Sequence, residues 1–123
     1  MYSPLQSGIL TERFSAERVA ALAEGDWRRR SSDFKPPKLR RNLALRDALL
    51  PLAERHATTV SAVAIAWTLA WPGVTGAIVG ARTPDQVDGW IGAASLELDP
   101  RDLDEVARAV AQSGAGAGPA LPR

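Results

Sequence analysis

Val79-Gly80-Ala81-Arg82-Thr83-Pro84-Asp85-Gln86 is the stretch from which the chain is read. Thr83, Pro84 and Gln86 have the spacing of a capping box. The hydroxyl accepts from an orphan amide, the proline suits the first helical position, and the glutamine reaches back. A helix is therefore expected from Pro84 to about Ala93. The apolar run Gly76-Ala77-Ile78-Val79 before it reads as a buried parallel strand. The chain thus passes from strand to helix through Gly80-Ala81-Arg82. Such a junction suits an anion, because unpaired amides and the positive end of the helix dipole meet there. Arg82 adds a bidentate donor matched to a phosphate, although the same residue also reads as a plain solvated arginine beside a cap.

The 123 residues are enough for one ordinary domain, and 46% hydrophobic content is enough for a core. With no cysteine and one histidine, a disulfide framework and a thiolate metal site are excluded, and no metal site is expected. This composition is compatible with a reducing cytoplasm. The net charge of +1 argues against a dedicated nucleic-acid or membrane-surface protein. Val60 to Ala81 lacks any charge and is long enough to span a bilayer. Trp71-Pro72-Gly73 interrupts it, so a buried helix, a turn and a buried strand are expected instead of a membrane span.

Taken in order, Tyr2-Ser3-Pro4 reads as a strand end, or more plainly as a turn with an exposed tyrosine, and Gly8 allows a close backbone approach. Nothing precedes this strand end to complete it, so Met1 is expected to be an internal or truncated start. Ser15 caps a short helix that Gly25 stops. From Trp27 to Arg41 the chain is basic, with Pro36-Pro37 forcing extended backbone. Trp27 and Phe34 among these charges make a nucleic-acid patch conceivable, but a solvated loop is the simpler reading. Asn42 to His56 is an amphipathic helix with a fault at Pro51, and His56 closes it against the helix dipole. Thr58 or Thr59 caps a second helix, to about Trp71, that is apolar on every side and so buried all round. Asp99 and Pro100 open a last helix with Leu103, Val106, Ala107 and Val110 on one face. Residues 1–112 form the ordered part, and 113–123 a flexible tail.

Several of these segments, in order, resemble the aldo/keto reductases over about residues 2 to 110. Tyr2-Ser3-Pro4-Leu5 matches the end of that family's seventh strand and Asp26-Trp27-Arg28-Arg29-Arg30 its long following loop. Asn42 to Ala93 matches its two closing helices and eighth strand, and Gly80, Arg82 and Gln86 its phosphate-holding turn. The resemblance implies an α/β fold, the C-terminal portion of a (β/α)8 TIM barrel with about strands 7 and 8 and their helices, mostly helical by residue count. A whole barrel takes about 250 residues. It also implies NADP(H) as cofactor and a small-molecule carbonyl as substrate. Tyr2 would stack on the nicotinamide, Ser3 and the Leu5 amide would meet the pyrophosphate, Arg82 would pair with the 2′-phosphate, and Gln86 would lie along the adenosine. Gly80 would leave room for the backbone to approach. Many members carry Glu-Asn where this chain has Gly89 and Trp90, which weakens the expected adenine contact.

The family's catalytic tyrosine, lysine, aspartate and histidine lie upstream of Tyr2, so no catalytic residue is assigned here. Tyr2, Lys35, Lys38 and His56 map onto none of them. Three functions follow: the cofactor-binding C-terminal part of an NADP(H)-dependent reductase, a non-catalytic cofactor- or partner-binding half-barrel, and a basic nucleic-acid binder. Neither a nucleic-acid nor a membrane partner is expected. The outer edges of the two strands would be unpaired, so self-association through barrel edges is expected.

Overall fold

The computed structural model describes residues 1–122. Its helices are α1 (Ala16–Ala20), α2 (Lys38–Ala48), α3 (Leu50–Arg55), α4 (Val60–Leu69), α5 (Pro84–Asp88) and α6 (Pro100–Ser113). Short 3-10 turns occupy Gln6–Gly8, Trp27–Arg29, Ser32–Phe34 and Ile91–Ala94.

Local chemistry accounts for most of the ends. Ser15 accepts from the Arg18 amide at 3.1 Å and starts α1. The α2 helix begins at Lys38, earlier than the expected Asn42, because Pro37 is helical (φ −85, ψ −11) rather than extended. It ends at Ala48, and Pro51 lies in the first turn of α3. The expected fault is thus a helix break just before the proline, where the lost N–H costs least. Thr59 caps α4 by accepting from Ala62 N at 3.1 Å. At α6, Asp99 accepts from the amides of Arg101 and Asp102 while Asp102 accepts from Asp99 N at 3.1 Å, a complete capping box. Gly114, at φ 65, ends the helix in the left-handed conformation that favours glycine.

The apolar helix α4 is the centre, buried at every position except Trp67 and Leu69. On one side Val60 and Val63 pack with Leu49, Leu52 and Ala53 of the preceding helical segment and with Val106 and Ala109 of α6. On the other, Ala62, Ala64 and Ile65 meet Leu5 and Ala93. A third cluster, Ile9, Phe14 and Phe34, gives the long loop a small core of its own.

The two expected strands reduce to one parallel bridge between Tyr2 and Ile78, with Ile78 N donating to the Met1 carbonyl at 2.9 Å. The parallel sense is as expected, but the length is not. Ser3, at φ 55, turns the chain out of extension, and Pro4 has no N–H to give to a ladder. The segment is not buried as expected either: Ile78 is 74% exposed, while Ala77 and Val79 are half-buried against the α4 side. No helix among the described residues is long and apolar enough to cross a membrane. Beyond α6, Ala115 is buried; Arg123, the last residue of the expected tail, lies outside the described residues.

Candidate functional site

The bridge, the turn after Pro4, the loop to Arg28 and the starts of α4 and α5 enclose a cleft of about 1000 Å³. Tyr2, Ser3, Leu5, Gly80, Arg82 and Gln86 all line it, although they come from opposite ends of the chain. Tyr2 is 79% exposed. Leu5 is a floor residue, and its carbonyl accepts from the amides of Gly8 and Leu10.

The turn after Tyr2 is strained. Ser3, Gln6 and Ser7 have φ of 55, 47 and 56, a region that side-chain-bearing residues rarely adopt. Each such residue costs on the order of 1 kcal/mol, and persists only where its surroundings hold it. Here Gln6 N donates to Ser3 O at 3.0 Å, and the Thr11 hydroxyl donates to Gly8 O at 2.7 Å. Gly8 itself sits at φ 99, so what it supplies is the left-handed backbone.

At the other wall the expected capping box takes a different form. Thr83 occupies the cap of α5, but its side chain makes no capping hydrogen bond. Gln86 does reach back, one residue further than expected, and accepts from Arg82 N at 2.7 Å. This bond fixes the backbone of Arg82, and its guanidinium makes no ion pair among the described residues. The helix stops at Asp88, short of the expected Ala93, where Gly89 and Gly92 weaken a continuous helix. Trp90 lines the cleft and packs on the Leu5 cluster.

The sequence reading missed the polar frame behind these residues. Glu12 accepts from Val60 N at 3.2 Å, which places a carboxylate at the positive end of α4. Thr59 donates to Gly89 O at 2.5 Å, and Ser61 to Leu10 O at 3.2 Å, so α4 ties both walls together. Asp26 holds Arg28 through several hydrogen bonds, the shortest 2.5 Å, and Arg28 lies 5.9 Å from the Phe14 ring centre. The Arg28 side chain, then its backbone amide, hold the Asp26 carboxyl well below the usual range, at about 2, and the charge of Arg82 contributes further. The only available signal was the Asp26-Trp27-Arg28 spacing, since an aspartate caps the 3-10 turn two residues before the arginine that it binds.

Other expectations resolve away from the cleft. Phe34 is buried edge-on against Phe14 and Trp27, so it has no face to offer a nucleic-acid base. His56 is indeed at a helix end, and its Nε2 lies 2.8 Å from Asp102 Oδ2. No metal-binding group of three or more His, Cys, Asp or Glu occurs among the described residues.

The profile of the aldo/keto reductase family matches residues 1–111. The chain is 28% identical over 104 residues to an NADH-specific methylglyoxal reductase of Escherichia coli (strain K12), covering 83% of this chain and 30% of that protein. It superimposes with a TM-score of 0.77 and 28% identity on a glycerol dehydrogenase of Gluconobacter oxydans, covering 95% of this chain and 35% of the other. The chain therefore spans about a third of the length of these relatives. On the match from residue 1 to residue 111, the chain belongs to the aldo/keto reductase family.

Proposed function

We propose that this chain is the C-terminal, cofactor-binding part of an NADP(H)-dependent aldo/keto reductase, corresponding to strands 7 and 8 of the barrel. The observation that carries the reading is the gathering of Tyr2, Ser3, Leu5, Gly80, Arg82 and Gln86 around one cleft. Its volume of about 1000 Å³ is at the upper end of ligand sites, as a dinucleotide requires. When bound, the cofactor supplies a hydride to a small carbonyl substrate or takes one from the alcohol. The chain's own residues orient it. Tyr2 offers an exposed ring for the nicotinamide to stack on. The strained turn at Ser3 to Ser7 presents backbone to the pyrophosphate, and Arg82, fixed by Gln86 and making no ion pair among the described residues, takes the 2′-phosphate.

The acid–base step is assigned to no residue of this chain. Its one histidine is engaged with Asp102 and does not line the cleft. For that reason a second reading stands beside the first: a non-catalytic half-barrel that holds cofactor or a partner. The cysteine-free composition fits a cytoplasmic setting, and the exposed bridge residues fit self-association.

Titrating the purified chain with NADPH and NADH, followed by tryptophan fluorescence, tests the cofactor assignment. Arg82→Ala should weaken NADPH about tenfold or more by removing a charge-assisted contact, and NADH little. Equal losses would sink the assignment of Arg82, and an unmodified chain that binds neither nucleotide would remove the cofactor site altogether. Binding without any carbonyl reduction in the presence of NADPH and methylglyoxal would favour the half-barrel reading for the chain by itself.

A further inference from the structure

Arg82 does not face the cleft alone. The loop that forms the opposite wall brings Asp26 and Arg28 to the same space as Arg82 and Gln86. Asp26 is well fixed: both its oxygens accept from Arg28, at 2.5 to 3.2 Å, and one also accepts the Arg28 amide at 3.0 Å. Arg28 in turn lies over Phe14, which is buried at 5% exposure and packed against Phe34. The side chains of Asp26 and Arg28 are only 18% and 17% exposed, so the pair belongs to the wall rather than to free solvent. One consequence is that Arg28, although it lines the cleft, has its charge largely cancelled by its neighbour. Another is that Asp26 is ionised at every working pH and lines a cleft whose other wall carries Arg82, which makes no ion pair among the described residues.

We propose that Asp26 sets how far this cleft prefers a phosphorylated over an unphosphorylated nicotinamide nucleotide. The inference rests on the cofactor reading above. A 2′-phosphate brings roughly two negative charges, which Arg82 attracts, whereas Asp26 withholds the second cation of the cleft by neutralising Arg28. A ribose hydroxyl brings none, so its binding does not depend on whether Arg28 is neutralised. The two residues therefore pull the preference in opposite directions. The selectivity of the cleft is the difference between them, not the property of Arg82 alone.

The test is a pair of titrations, NADPH and NADH, on the unmodified chain and on Asp26→Asn and Asp26→Ser. Asparagine keeps an oxygen for Arg28. Serine is itself a cap for such a turn, as Ser31 shows one turn later by accepting from Asp33 N at 3.3 Å. Both variants should keep the loop, which circular dichroism and the fluorescence of Trp27 would verify. The ratio of NADPH to NADH affinity should rise about tenfold in both, and the rise should shrink in about 1 M salt, where the screening length is about 3 Å. An unchanged ratio, with both nucleotides still bound, overturns the role of Asp26 and leaves the cofactor site standing. Failure of the unmodified chain to bind either nucleotide overturns both.

Discussion

Asp102 carries an ionised carboxylate that is only 5% exposed, and three groups hold it there. Arg55 donates to it at 2.8 Å, His56 Nε2 lies at 2.8 Å, and the Asp99 amide donates at 3.1 Å. Burial is the largest single influence and raises its pKa, but the hydrogen bonds from Arg55, Asp99 and His56 together outweigh it and hold the carboxyl below its ordinary value. The unfolded chain therefore takes up this proton first as pH falls. Stability from Asp102 is present above the ordinary aspartate value and is lost through the range below it. Asp102→Asn should cost about 1–2 kcal/mol near neutral pH, the lower part of the range for a buried charge because Arg55 is half exposed to solvent. In denaturant titrations the gap between variant and parent should close below about pH 4; a gap that stays constant would refute the ionic account. A sequence shows that His56 ends a helix, because that is a local property. It does not show that Asp102 waits 46 residues away, because that pairing depends on how α3 and α6 pack.

At the level of elements, α4 joins the core to the cleft. Its two sides are built differently: Val60 and Val63 fill the space towards α3 and α6, while Ala62 and Ala64 let the Leu5 segment approach. Ala62 is 1% exposed, so a larger side chain there has nowhere to go. Ala62→Leu should destabilise the fold by about 1–3 kcal/mol in chemical denaturation. It should also weaken any nucleotide bound, because Thr59 and Ser61 on the same helix tie Gly89 and Leu10 in place. A stable variant with intact binding would mean that α4 and the Leu5 segment are not tightly joined. The elements legible beforehand were those decided within four residues: the caps at Ser15, at Thr58 or Thr59 and at Asp99, and a fault at Pro51 that the structure resolves as a break. Thr83 misled because Gln86 has a competing donor in Arg82 N, one residue further back than the pattern assumes. The strands misled for a different reason. A strand is defined by its backbone neighbours, and Gly76 to Val79 bridges only to the Tyr2 segment among the described residues. Of the six cleft residues, Arg82 and Gln86 were suggested by their place at a helix start and the others only by the resemblance to the family, while the frame of Glu12, Asp26 and Ser61 was not legible, since each acts through a partner or wall that folding brings to it.

For the whole molecule, the bridge leaves apolar groups facing outward. Ile78 is 74% exposed, Tyr2 79% and Met1 60%, and all three lie at the single Tyr2 to Ile78 pairing. Beside them is a second cavity, of about 430 Å³, lined by Met1, Tyr2, Leu45, Trp67, Trp71 and Val110 among others, with no charged side chain in its walls. The indole N–H of Trp67 is buried without an acceptor among the described residues, and an unmet donor of this kind costs about 1–3 kcal/mol. Open backbone edges and exposed apolar side chains favour covering this face. A like surface on a second copy brings apolar side chains to this cavity and backbone groups to the open edge. Sedimentation velocity at rising concentration should therefore give an average mass above the 13.1 kDa of one chain. Ile78→Lys puts a solvated charge on the edge, as natural sheets do to prevent pairing, and should return the mass towards that of one chain. A chain that stays monomeric at every concentration would show that this face is stable in water as it stands. If instead both proteins associate equally, the contact lies elsewhere than the bridge.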